Sequence, residues 1–160
     1  MTNKANLFTT PAEERHSPQG KFHLLQKNLS LALGGKKDCG TWGGGFPFDV
    51  SEVQIPPGKA NWPYHQHSAQ WEFYLVLSGR GELRTDEGNV SITAGDYFQH
   101  APGSAHQITN DGEENLVLLI VADNPPSDII SYPDTGQIFL KPQRVLLKPA
   151  DELNYYDNEE

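Results

Sequence analysis

The sequence predicts an all-β fold, a sandwich or a closed barrel. Three observations carry that expectation. The 15 glycines and 12 prolines fall between short apolar runs, which is how strands are punctuated. The runs recur about every 8–12 residues, the rhythm of short antiparallel strands. No segment keeps the 3.6-residue periodicity of a long helix.

Taken in order, the predicted strands are Leu29–Leu33, Phe46–Ile55, Phe73–Leu77, Gly81–Thr85, Val90–Thr93, Asp96–Gln99, His106–Thr109, Leu116–Ala122 and Gln137–Leu140. Turn signals separate them at Ser78-Gly79-Arg80-Gly81, Asp86-Glu87-Gly88-Asn89, Ala94-Gly95 and Asn110-Asp111-Gly112. In Phe46–Ile55 the apolar parity switches between Val50 and Val53, which predicts a bulge near Ser51-Glu52. Leu116–Ala122 is apolar throughout, as a strand covered on both faces is. The best helix candidate is the short stretch Ala150–Tyr155. Gly34–Gly45 reads as a surface connection; the alternative is a lid near a barrel mouth, with Trp42 over a pocket. No Gly-Lys-Ser/Thr follows it, so it is no phosphate cradle of the Walker type.

At 160 residues the chain is expected to be one domain. The polar ends divide it into an N-terminal arm at 1–25, a barrel at 26–145 and a tail at 146–160. The net charge is −9, and the 12 basic residues are scattered apart from Lys36-Lys37. Nucleic acid and anionic membrane surfaces both need clustered cations, so neither is an expected partner. A small anionic substrate stays open, because a buried cation can dominate its local field. Cys39 is the only cysteine, which rules out an intrachain disulfide and a thiolate zinc site. The N-terminal stretch lacks the apolar core of a secretory signal, and no run approaches the length of a spanning helix, so the expected location is the cytoplasm.

The chemistry concentrates in two stretches. His65 and His67 lie two residues apart on an extended segment, so both imidazoles point the same way. Glu72 begins the next strand, and a tight turn through Ser68–Gln70 would bring it beside them. Unpaired, a carboxylate next to the apolar run Phe73–Leu77 would be costly to bury. His106 follows the turn at Pro102-Gly103 and opens another strand. From across a closed barrel it would complete a three-histidine, one-carboxylate site with open positions. Imidazole and carboxylate together favour a divalent transition metal (Mn, Fe, Ni, Co, Cu or Zn) over Ca or Mg.

These two stretches resemble the signature motifs of the cupin superfamily. His65, His67, Glu72 and Gly79 match the first motif's spacing, with Gly58 seven positions before His65 rather than six. Gly95, Gly103, His106 and Asn110 match the second, with Ala101 at the family's proline position and Pro102 one step later. The resemblance covers about residues 50–122. It implies a jelly-roll barrel, or double-stranded β-helix, with the metal inside and His65, His67, Glu72 and His106 as ligands. Among the nearest look-alikes are small single-domain proteins labelled sugar-phosphate isomerase-like.

The expected function is a metal-dependent enzyme acting on a small oxygen-rich metabolite, of isomerase, dioxygenase or decarboxylase type. The alternative is a non-catalytic cupin that binds a small molecule or metal. Tyr74 and His100 are the candidate acid–base groups, since each sits near the ligand strands. Tyr74, Tyr97, Trp62 and Gln70 are candidates to line the cavity, while His16 and His23 read as solvated. A homodimer is expected, through Leu153–Asp157 and Ile129–Gly136.

Overall fold

The computed structural model describes residues 3–149. Thirteen strands follow in chain order: β1 Glu13–His16, β2 His23–Asn28, β3 Phe48–Ile55, β4 Gln66–His67, β5 Glu72–Ser78, β6 Arg80–Thr85, β7 Gly88–Thr93, β8 Tyr97–His100, β9 His106–Thr109, β10 Leu116–Asp123, β11 Asp128–Tyr132, β12 Gln137–Lys141 and β13 Val145–Leu147. They form a six-stranded sheet ordered β1-β2-β3-β10-β5-β8, a four-stranded sheet β13-β12-β11-β4 and a three-stranded sheet β7-β6-β9. All pairings between these strands are antiparallel. The fold is the all-β jelly roll expected from the sequence.

The interior is graded along β10. Leu118 pairs with Val53 on one side and Val76 on the other, and all three are buried. One pleat on, Ile120 lies between Ser51 and Tyr74. A further pleat on, Ala122 lies between Asp49 and Glu72, and Glu72 pairs outward with His100. Residues two apart share a face, so the same inner surface runs from aliphatic to ionisable. The aliphatic end holds the barrel together at about 1.5–3 kcal/mol per buried side chain. The polar end is left for chemistry.

Two local expectations are corrected. Leu29–Leu33 is not a strand: Leu29–Ala32 is a short helix, α1. The Asn28 side chain accepts a hydrogen bond from the Leu31 backbone N–H and caps it. There is also no bulge at Ser51-Glu52, since β3 pairs without a break to both β2 and β10. The parity switch arises because Ser51, Glu52 and Val53 are all buried, Glu52 by an ion pair with Lys27 at 3.1 Å. The irregularity lies instead between Val117 and Leu118, where β10 meets β5. β1, β2, β4, β11 and β13 were not anticipated. The helix expected at Ala150–Tyr155 falls outside the described residues.

Gly79 shows why one turn demands glycine. Its φ is +82°, and a Cβ there would come within 2.6 Å of the Asn115 carbonyl oxygen. The sharp β5–β6 reversal therefore excludes any side chain.

Candidate metal centre

His65 and His106 are brought together by their own backbones. The His65 N–H donates to the His106 carbonyl at 3.1 Å, and the His106 N–H donates back at 2.8 Å. Residues directly opposite in such a bridge project to the same side. The ring centroids are 4.6 Å apart. The loop before His106 is pinned as well, by the Gly103 N–H on the His67 carbonyl at 2.8 Å.

The tautomers follow from the partners. His65 Nδ1 lies 2.8 Å from the Pro63 carbonyl, and His106 Nδ1 lies 3.1 Å from the Ser104 carbonyl. A carbonyl only accepts, so each Nδ1 carries the proton and each Nε2 presents a lone pair. His67 Nδ1 donates to Asp128 Oδ2 at 2.5 Å. Asp128 is itself held by the Ala69 N–H at 2.9 Å and the Ser68 hydroxyl at 3.2 Å.

One ligand atom each from His65, Glu72 and His106 lie within 4.8 Å of one another. Glu72 Oε2 is 3.0 Å from His106 Nε2 and 3.6 Å from His67 Nε2. It nevertheless makes no hydrogen bond and is buried. A buried carboxylate oxygen facing imidazole lone pairs is an electrostatic conflict that a cation among them would relieve. The donor set therefore fits a divalent transition ion, of unspecified identity.

Protonation favours the same state. Burial and then the charge of His106 lower the His65 pKa to about 4. Burial works to raise the Glu72 pKa, but the closeness of His106, followed by the fields of His67 and His65, outweighs it and holds the value at about 2. Near neutral pH the pair is a neutral imidazole and an ionised carboxylate, as a metal requires.

Tyr74 and His100 both lie against His106. Tyr74 is fully buried, its hydroxyl 3.3 Å from His106 Nε2, and burial with the Glu72 charge keeps the phenol protonated well beyond its usual range. The His100 ring stacks on His106 at 3.8 Å with 2° between planes, and its Nε2 is buried without a partner. Neither residue lines the cavity in front of the donors, whereas Trp62 and Gln70 do. Tyr97 lies on the outer surface, 73% exposed. His23 is half-buried on β2, with Nε2 2.9 Å from Glu14.

That cavity has a volume of about 280 Å³, with His65, His67 and Glu72 on its wall. Sequence reading missed Asp128, which orients His67 from 61 residues away, and Asp49, whose buried Oδ1 has no partner. It also missed the wall residues Arg15, Lys37, Asp38, Lys141 and Arg144. Nothing local marks these positions, because only the strand pairing brings them together. The Gly34–Gly45 connection does reach the cavity, but through Lys37 and Asp38. Trp42 is half exposed elsewhere, donating to the Asn124 carbonyl at 3.3 Å.

Residues 51–122 match the family model for the cupin domain. Auxin-binding protein 1 of Arabidopsis thaliana is 33% identical over an alignment of 99 residues that covers 53% of this chain and 49% of that protein. The chain thus spans about half of that relative's length. Among solved structures, a candidate sugar phosphate isomerase of Acidithiobacillus ferrooxidans superposes with a TM-score of 0.79 over 96% of this chain and 97% of its own, at 23% identity. A sugar phosphate isomerase of the cupin superfamily from Silicibacter pomeroyi gives 0.76 over 95% and 97%, at 21% identity. At these identities the two structures share the fold.

Proposed function

We propose that this chain, a cupin over residues 51–122, is a metal-dependent enzyme acting on a small oxygen-rich metabolite. One divalent transition ion is held by His65, His67, Glu72 and His106. The observation that carries this reading is the buried Glu72 oxygen, unpartnered among three imidazoles beside an open cavity. When bound, such an ion polarises a carbonyl or acidifies a bound water.

The chain's own residues set the rest. The carbonyls of Pro63 and Ser104 fix the proton on Nδ1 of His65 and His106, and Asp128 does the same for His67. Asp128 also steadies the His67 ring through its own bonds to Ala69 and Ser68. Tyr74 reaches His106 Nε2 through its hydroxyl at 3.3 Å and His100 stacks on the ring, and both serve to position it. Trp62, Ile120, Ile130 and Phe139 give the cavity an apolar flank against which a carbon skeleton can lie.

The likeness to sugar phosphate isomerases makes phosphorylated sugars the first substrates to try. The test is a melting-temperature screen of tag-free protein against sugar phosphates, dicarboxylates and diketones, with product analysis of each ligand that stabilises. Metal-dependent turnover of one of them supports the enzyme reading. Binding without turnover across the whole set contradicts it and leaves a non-catalytic binder. A second copy of the chain is the proposed protein partner.

A further inference from the structure

The charge of the cavity wall runs against that of the molecule. The chain has 12 basic and 21 acidic residues. On the wall stand four cations, Arg15, Lys37, Lys141 and Arg144, against three carboxylates, Asp38, Asp49 and Glu72. Glu72 is engaged with the histidines. Asp38 is shared by two cations, at 2.7 Å from Arg144 and 4.0 Å from Lys141. Lys37 forms no ion pair among the described residues; Glu13 feels its charge without contact. Lys141 is half-buried, and its ammonium has only the distant Asp38 and the Gln70 side-chain oxygen at 3.5 Å. Arg15 is paired with Glu13 at 3.0 Å and Arg144 with Asp38, so the positive charge that the wall leaves without a close acid is that of Lys37 and Lys141.

Backbone geometry singles out the same place. Among the described residues, Asp38 and Arg144 are the only non-glycine positions with positive φ, at 53° and 59°. They are bonded to each other across 106 positions of sequence. Holding two such residues costs on the order of 1 kcal/mol or more each, and strain of this kind clusters at ligand clamps.

We propose that Lys37 and Lys141, flanked by the paired Arg15 and Arg144, form an oxyanion-binding half of this cavity, which takes the phosphate or carboxylate group of a small metabolite. The rest of that molecule faces His65, His67 and Glu72; this part rests on the metal-centre reading given above. The strand register sets the scale. Phe139, Ile130 and His67 form one row, and Lys141 with Asp128 forms the next. The rows are about 7 Å apart along the strand. An anion on Lys141 is thus within a small metabolite's length of the imidazoles.

The test titrates inorganic phosphate into the tag-free protein by calorimetry, with ionic strength held constant by chloride. Saturable binding is expected, weakened about tenfold or more in a Lys37→Ala, Lys141→Ala double variant and unchanged in Arg80→Ala. Lys37→Ala alone, on an exposed loop, weakens it about threefold and serves if the double variant fails to fold. Malonate in place of phosphate tells the two oxyanions apart, and saturable binding of either that the Lys variants weaken supports the site. Binding of neither overturns it, and so does equal affinity in the Lys variants. A His65→Ala, His106→Ala variant should still bind the anion; loss there would move the anion to the histidines and overturn the assignment. Wild-type protein that takes up no metal yet binds the anion contradicts the metal reading and leaves the oxyanion site standing.

Discussion

The backbones of His65 and His106 hydrogen-bond to each other in both directions, although they lie 41 positions apart in the sequence. This reciprocal bridge makes one site out of two distant stretches. It fixes the spacing of two imidazoles before any ion is present, so their arrangement belongs to the fold.

Asp128 should be the most informative residue outside the donor set. Asp128→Asn removes the charge that holds the His67 Nδ1 proton, while its amide oxygen can still accept from Ala69. Metal affinity should fall about 10- to 100-fold, read by competition with a chromophoric chelator. Unchanged affinity would mean that His67 is not a ligand.

Asn110 should matter for stability alone. Its side chain donates to the Ile55 and Glu114 carbonyls, both at 2.7 Å, and accepts from the Gly112 N–H at 2.8 Å. Asn110→Ala orphans three backbone groups and should cost about 2–4 kcal/mol, measured by urea denaturation. Metal bound per folded molecule should not change.

Acid should destabilise the metal-free protein. The folded pKa values of His65 and His100 lie at about 4 and about 3, below the ordinary 6.5, in both cases first through burial. Between those values and 6.5 the unfolded chain binds more protons, so stability falls as pH falls. Glu72 acts in the same direction lower down, from 4.5 toward about 2. Melting temperatures at pH 7, 5.5 and 4.5 should decline, and His100→Asn should flatten the decline. A decline as steep in that variant would remove His100 from the explanation.

The outer face of the six-stranded sheet should bury against a second copy. Trp71, Phe73, Leu77 and Tyr97 are exposed there, with the Phe73 and Tyr97 rings 6.2 Å apart. An apolar face of this kind marks an interaction surface. Light scattering should give a dimer, and Phe73→Glu with Tyr97→Glu a monomer. The sequence had pointed instead to Ile129–Gly136 and to Leu153–Asp157, of which the latter lies outside the described residues. A monomeric wild type would contradict either surface.

Much of the fold was legible because period and punctuation are local. His106–Thr109 is met at both ends, and β3, β5 to β8, β10 and β12 to within two residues. Leu29–Ala32 misled because its alternation suits a strand, while the helix is capped by a single hydrogen bond that the Asn28 side chain accepts from the Leu31 N–H. The short strands β4 and β13 have too few residues to show a period. At the site, the spacing singled out His65, Glu72 and His106, whose ligand atoms the fold gathers within 4.8 Å of one another. It did not single out Asp128, Asp49 and Lys141, because their roles come from register between strands distant in sequence. Tyr97 was read inward from its aromatic character, but strand parity turns it out.

Metal content tests the central claim most directly. Tag-free wild-type protein and a His65→Ala, His106→Ala variant are compared by elemental analysis, before and after exposure to Mn, Fe, Ni and Zn. About one equivalent of transition metal per wild-type chain is expected, and none in the variant, with an unchanged β-type circular dichroism spectrum. A wild type that takes up none of these ions, or a folded variant that retains one, would contradict the account.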